Sequence, residues 1–162
     1  RPRRLRAHMK IADVDDDGGR ARGRREQAEA CCEWLVAHEI VPPDVVRVNR
    51  ERAQLVLRPW RPVFMHGDLH IEHVFVDGTE VTGLLDWSEA APGDGTFDLA
   101  SLTLAHPDRL DDLLTGYGGA AARDRIRAWW SYRCLTAVRW LVDNGYGPPD
   151  DYPEVAMLRS IS

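Results

Sequence analysis

"FMHGDLHIEHVFVDGTEVTGLLDW", residues 64–87, crowds three histidines and an aspartate into eight positions and then runs into two β-rich stretches joined by Asp77-Gly78. β-Branched and aromatic residues on either side of an Asp-Gly pair predict a β-hairpin. His66, Asp68, His70 and His73 would sit at its mouth, and Asp86 of "LLDW" just past its far end.

Outward from the hairpin the periodicity is helical. Upstream, Ala28, Cys31, Cys32, Leu35 and Val36 recur at three- and four-residue steps, which predicts a helix from about Arg24 that "VPPD" stops. A second helix is expected from an Asp44 cap, with Val45, Val48, Leu55 and Val56 inward and Pro59 as its end. Downstream, "EAAPGDGTFD" reads as loop, with Asp98 a candidate cap for "LASLTLA". Pro107 and Asp108 open a short helix closed by the glycines at 116, 118 and 119. Residues 123–143 carry the widest apolar stripe, from Ile126 through Trp129, Trp130, Arg133 and Cys134 to Val142, and Asn144-Gly145 stops it. The clustered tryptophans are expected in the core. Residues 1–23, Arg-rich around "DVDDDGGRARG", read as a basic, linker-like segment. The fold class is therefore α+β, mostly helical, with one small hairpin, and 162 residues at 44% hydrophobic suffice for one core over 24–162.

The net charge of -5 is unevenly spread. Residues 1–25 hold nine bases and four acids, whereas residues 62–122 hold eleven acids and the single base Arg109. Such an acidic field repels nucleic acid and attracts cations, and the basic N-terminal piece lacks interleaved aromatics. No apolar run is long enough to cross a bilayer, and "RPRRLRAHMK" is not followed by the apolar core of a secretion signal, so a cytoplasmic address is expected. Adjacent Cys31 and Cys32 on a helix have poor geometry for bridging, and with Cys134 they read as reduced, packed thiols. His8, His38 and His106 read as incidental, and Asp143, near the end of the 123–143 helix, is a candidate for meeting substrate weighed against an ordinary solvated acid.

Two chemistries compete for the opening stretch. In a metal-dependent hydrolase His66, Asp68, His70 and His73 would ligate an ion directly, but alternate residues of an extended segment share a face and His73 would have to return from another. In phosphoryl transfer a loop of the form His-x-Asp-Leu-x-x-x-Asn precedes a short hairpin and then a metal-binding aspartate. Here His66, Asp68, Leu69 and position 73 fall in that order, followed by the hairpin and Asp86. That chemistry needs one carboxylate to take or orient an alcohol's proton and another to hold divalent ions on the nucleotide phosphates.

"HGDLHIEHVFVDG", "TGLLDWSEA" and "GDGTFDLASL" together resemble the aminoglycoside phosphotransferase family, kinase-like enzymes that include macrolide and choline kinases. The resemblance covers roughly residues 60–105 and implies the C-terminal lobe of a small-molecule kinase, moving phosphate from ATP or GTP to a hydroxyl with Mg2+ or Mn2+. It implies Asp68 as the base, Asp86 and His73 as metal ligands, and His66 and Asp98 as braces of the loop. Glu89 and Asp94 are further candidates for meeting substrate, and His70 either meets substrate or caps the loop. Histidine at 73 departs from the commonest asparagine and is similar to macrolide kinases. No glycine-rich loop and lysine-bearing strand precede the motif, so the nucleotide-gripping N-terminal lobe is expected to be missing and to belong to a parent protein. The acceptor would be a small-molecule alcohol, cationic ones suiting the acidic field and bulky apolar ones suiting His73 and "DWSEA". The alternatives are a non-catalytic cation-binding module or remnant, and the hydrolase.

Overall fold

A computed structural model of the chain describes residues 17–118 and 122–161. Among the described residues there are six α-helices and two small antiparallel ladders. Helix α1 spans Asp17–Ala37, α2 Pro43–Ala53, α3 Thr96–Thr103, α4 Leu110–Tyr117, α5 Arg123–Asp143 and α6 Pro153–Ile161. Strands β1 (Val63–Met65) and β4 (Ala91–Gly93) form one ladder, and β2 (Val74–Asp77) and β3 (Glu80–Leu84) form the other.

α5 is the centre of the body and packs on α1, α2, α3 and α6. Its Trp129 is fully buried and meets Trp60, Phe97 and Tyr132 edge to face at centroid distances of 6.0, 5.0 and 5.5 Å. Each such pair adds roughly 0.5–1.5 kcal/mol to the burial of its rings. Asn49 of α2 is equally buried; its amide donates to Val45 O and Leu158 O, and its Oδ1 accepts from Ser131. One side chain thus joins α2, α5 and α6. The three cysteines are free and buried, and burial, then Glu29, pushes the Cys32 thiol up to about 11.

Several expectations change. α1 begins at Asp17, seven residues before Arg24, so the stretch read as linker to residue 23 ends in helix; residues 1–16, with His8 and the one lysine, Lys10, lie outside the described residues, as does Gly119. α2 is entered at Pro43 with no side-chain cap, Asp44 lies in its first turn, and it ends at Ala53, well before Pro59. "EAAPGDGTFD" is not all loop, because Ala91–Gly93 pairs with Val63–Met65. Helix α6 is not among the expected elements, and its buried Val155, Met157 and Leu158 complete the core beside α5. The hairpin turn is Gly78-Thr79 with Gly78 at φ 59°, the arrangement that asks for glycine at the first central position.

Candidate active site

The 66–70 loop is placed by the first ladder. β1 ends at Met65 against Ala91, which brings the loop over the 88–90 segment. Gly67 has φ 87°, and a Cβ there would stand 2.2 Å from Glu89 O, so only glycine allows the two backbones this close. From the other side Asp98, in the first turn of α3, accepts the His66 N–H at 2.7 Å and the Gly67 N–H at 2.9 Å through its two oxygens. It caps no helix; it ties α3 to the loop.

His66 is 3% exposed and spans both halves of the site. Its Nε2–H donates to Leu85 O at 2.8 Å, and its Nδ1 accepts the Asp68 N–H at 3.3 Å. A carbonyl can only accept and an amide can only donate, so both bonds require the neutral Nε2–H tautomer. One imidazole therefore couples the backbone of Asp68 to the residue immediately before Asp86.

His73 closes the short 3-10 turn Ile71–His73 and donates Nδ1–H to Asp68 O at 2.9 Å, leaving the Nε2 lone pair free of that bond. A backbone carbonyl holding one ring nitrogen is the usual way an imidazole is oriented toward a metal. Asp86 is exposed and sits at φ 56°, in the left-handed region that aspartate visits more readily than most residues. Its Oδ1 accepts from Ser88 Oγ at 2.7 Å and Ser88 N–H at 3.4 Å. The Ser88 hydroxyl, then its amide, holds the Asp86 carboxyl below its ordinary value, with smaller help from His73 and His66.

The Asp68 side chain is 37% exposed and its Oδ1 accepts from His70 Nε2 at 2.8 Å. Beneath it Arg133 of α5 lies 5.0 Å over the Phe97 ring. Burial pushes that guanidinium below its ordinary value, and the charges of Asp68, Glu154 and Asp98 partly restore it. Its role escaped the sequence, although a cation inside the apolar stripe of 123–143 was the available signal.

Asp94, expected on a substrate-facing rim, is a buried structural acid, 5% exposed. Its Oδ2 accepts from Arg125 at 2.6 Å and from the Trp129 indole at 3.0 Å, and its Oδ1 from Thr96 N–H and Oγ1. It locks the start of α3 to α5. Glu89 does lie on the surface, beside Gly67. Trp87 is not core: 45% exposed, it stacks on Phe64 at 5.9 Å and leans on His66 at 4.6 Å.

Among the described residues no group of three His, Cys, Asp or Glu is set to hold a metal ion. His66 is committed to Leu85 and Asp68, and His70 to Asp68, so the histidines do not form the cage a hydrolase would need. Asp86 offers a carboxylate and His73 an Nε2 outside its bond to Asp68 O, donor types that divalent ions accept, imidazole suiting softer ions than Mg2+. Among the described residues no helix is long and apolar enough to cross a membrane.

Comparison with known proteins bears on the fold and the family. The crystal structure of a thermostable mutant of aminoglycoside phosphotransferase APH(4)-Ia in its apo form is similar in fold, with a TM-score of 0.59 and 20% identity over 84% of this chain and 52% of that one. The chain thus spans about half the length of that structure. A model of the phosphotransferase enzyme family (APH) matches residues 3–131, which takes in the Asp68 loop, the hairpin, Asp86 and Asp98. The chain belongs to the phosphotransferase enzyme family.

Proposed function

We propose that this chain carries the catalytic loop of a cytoplasmic kinase that moves the γ-phosphate of ATP or GTP to a hydroxyl of a small molecule. The observation that carries the reading is the His66 bridge, which ties the backbone of Asp68 to the residue preceding Asp86. Two carboxylates with different tasks are thereby set in one frame. Asp68, partly exposed with Oδ2 unbonded by protein among the described residues, takes the proton of the acceptor hydroxyl. As it does so the acceptor oxygen bonds to the γ-phosphorus, and the bond from phosphorus to its bridging oxygen breaks with the electron pair leaving on the nucleoside diphosphate. Asp86, kept ionised by Ser88, and the Nε2 of His73 would hold Mg2+ or Mn2+, which when bound supplies charge neutralisation at the phosphates.

The complete enzyme would pair this chain with a nucleotide-gripping lobe. In support, the hairpin and its flanks expose Phe64, Ile71, Phe75, Val76, Val81 and Leu85. An apolar face of this kind beside a catalytic loop suits contact with a further body. The acceptor is a small alcohol, and the acidic 62–122 stretch favours cationic ones. The test is Asp68→Asn in the complete enzyme. Turnover should fall roughly 100-fold or more, the scale of a lost general base, with the thermal midpoint unchanged. Retained turnover would remove Asp68 from the mechanism.

A further inference from the structure

Half of the chain's six histidines stand around Asp68, and each engages a different group of that one residue. His66 accepts its amide N–H, and His73 donates to its carbonyl. Those two bonds hold backbone. His70 alone of the three reaches the carboxylate, with Nε2 2.8 Å from Oδ1. We propose that His70 is a positioning residue for the base: its Nε2–H holds Oδ1, fixing the carboxylate rotation so that Oδ2 meets the incoming hydroxyl. The proposal rests on Asp68 being the base.

The terminal torsion of an aspartate is broad and roughly two-fold, so a carboxylate 37% open to solvent has no preferred face unless something holds one oxygen. The local fold makes His70 suited to that task. The His70 N–H turns back to Asp68 O at 3.0 Å, which brings side chains two positions apart onto one side of the loop. The imidazole is then set edge-on against His73 at 5.8 Å and 83°. A purely structural histidine would be buried and would serve the backbone, as His66 does. His70 is 38% exposed, and the bond found for it is to the reactive group itself. A substrate-binding histidine would have its nitrogen open toward the acceptor, whereas this Nε2 is taken by Asp68. Removing His70 should therefore disturb the chemical step more than binding or folding.

The test compares His70→Ala, His70→Gln and Asp68→Asn in the complete phosphotransferase. Glutamine keeps an N–H donor near the position of Nε2. His70→Ala should lower kcat roughly 10- to 100-fold, the cost of a misplaced reacting group, with KM for nucleotide and acceptor little changed, and His70→Gln should recover most of the loss. Unchanged kcat in His70→Ala, a change in KM alone, or no recovery with glutamine would overturn the positioning role while Asp68→Asn still reports on the base. Full activity of Asp68→Asn would instead remove the base reading on which it depends. A readout independent of turnover is the imidazole nitrogen spectrum of the unmutated protein, which also decides the matter if His70→Ala fails to fold. His70 should appear as the Nε2–H tautomer and lose that preference in Asp68→Ala; a dominant Nδ1–H form would overturn the proposal.

Discussion

The helical body and the 63–87 segment are built on opposite terms. In the body α5 buries Ile126, Trp129, Leu135 and Val138 completely, and α1, α2 and α6 close over them. Between residues 63 and 87 one large apolar side chain, Met65, is buried, while eight of the twelve large exposed hydrophobics found among the described residues are there. The site is not shaped by a core of its own. It is held by directed polar bonds from Asp98, His66 and His73, with its apolar side chains turned outward. Burial supplies stability without specifying any one atom's position, whereas a few directed hydrogen bonds do the reverse.

That contrast can be broken at several points. The largest effect belongs to Trp129→Ala, which empties a fully buried site, removes three ring contacts and leaves Asp94 without one donor. It should cost roughly 3–5 kcal/mol in denaturant unfolding. A loss below about 1 kcal/mol would mean that α5 is not the centre of the body.

The pair Asp94 and Asp98 sharpens the comparison, since an acid that serves the body and one that serves the site stand only four positions apart. Asp94→Ala should cost roughly 2–3 kcal/mol, because Trp129 and Thr96 lose their acceptor, with the partly exposed Arg125 contributing less. Asp98→Ala should cost less globally but speed hydrogen exchange at the His66 and Gly67 amides by roughly tenfold or more. Equal exchange in both variants would erase the distinction.

On the outward face, Phe75→Ser, at a position 50% exposed, should change the stability of this chain by no more than about 0.5 kcal/mol. A larger loss would show that the hairpin packs on the body after all.

The smallest effect is electrostatic. Ser88→Ala removes the main influence holding the Asp86 carboxyl below its ordinary value, so the titration midpoint followed by carboxyl carbon resonance should rise. Because the folded value is depressed, the associated stabilisation is present above the unfolded carboxylate range and lost as pH falls through the folded value. Ser88→Ala should flatten that acid-side dependence, and an unmoved midpoint would mean the Ser88 bonds do not form in solution.

What the sequence by itself determined is local. The order His66, Asp68, His73, hairpin, Asp86 sits within 21 consecutive residues, so a motif and the resemblance it carries pointed to the candidate site, and α5 was visible because its apolar residues run over several turns. Short elements escaped. β1 and β4 are three residues each, too short for alternation to register, and α6 owes its place to the surface that α5 presents. The resemblance already set His66 and Asp98 apart as braces of the loop, but it left Asp94 among the substrate candidates and named no partner for any of them. Only the tertiary structure showed the contacts behind those places. The partners that assign them, Trp129 and Arg125 for Asp94, Leu85 for His66 and the 66–67 backbone for Asp98, lie 19 to 35 positions away. A hydrogen bond acts over about 3 Å of space, a distance that position along the chain does not encode until the helices have packed.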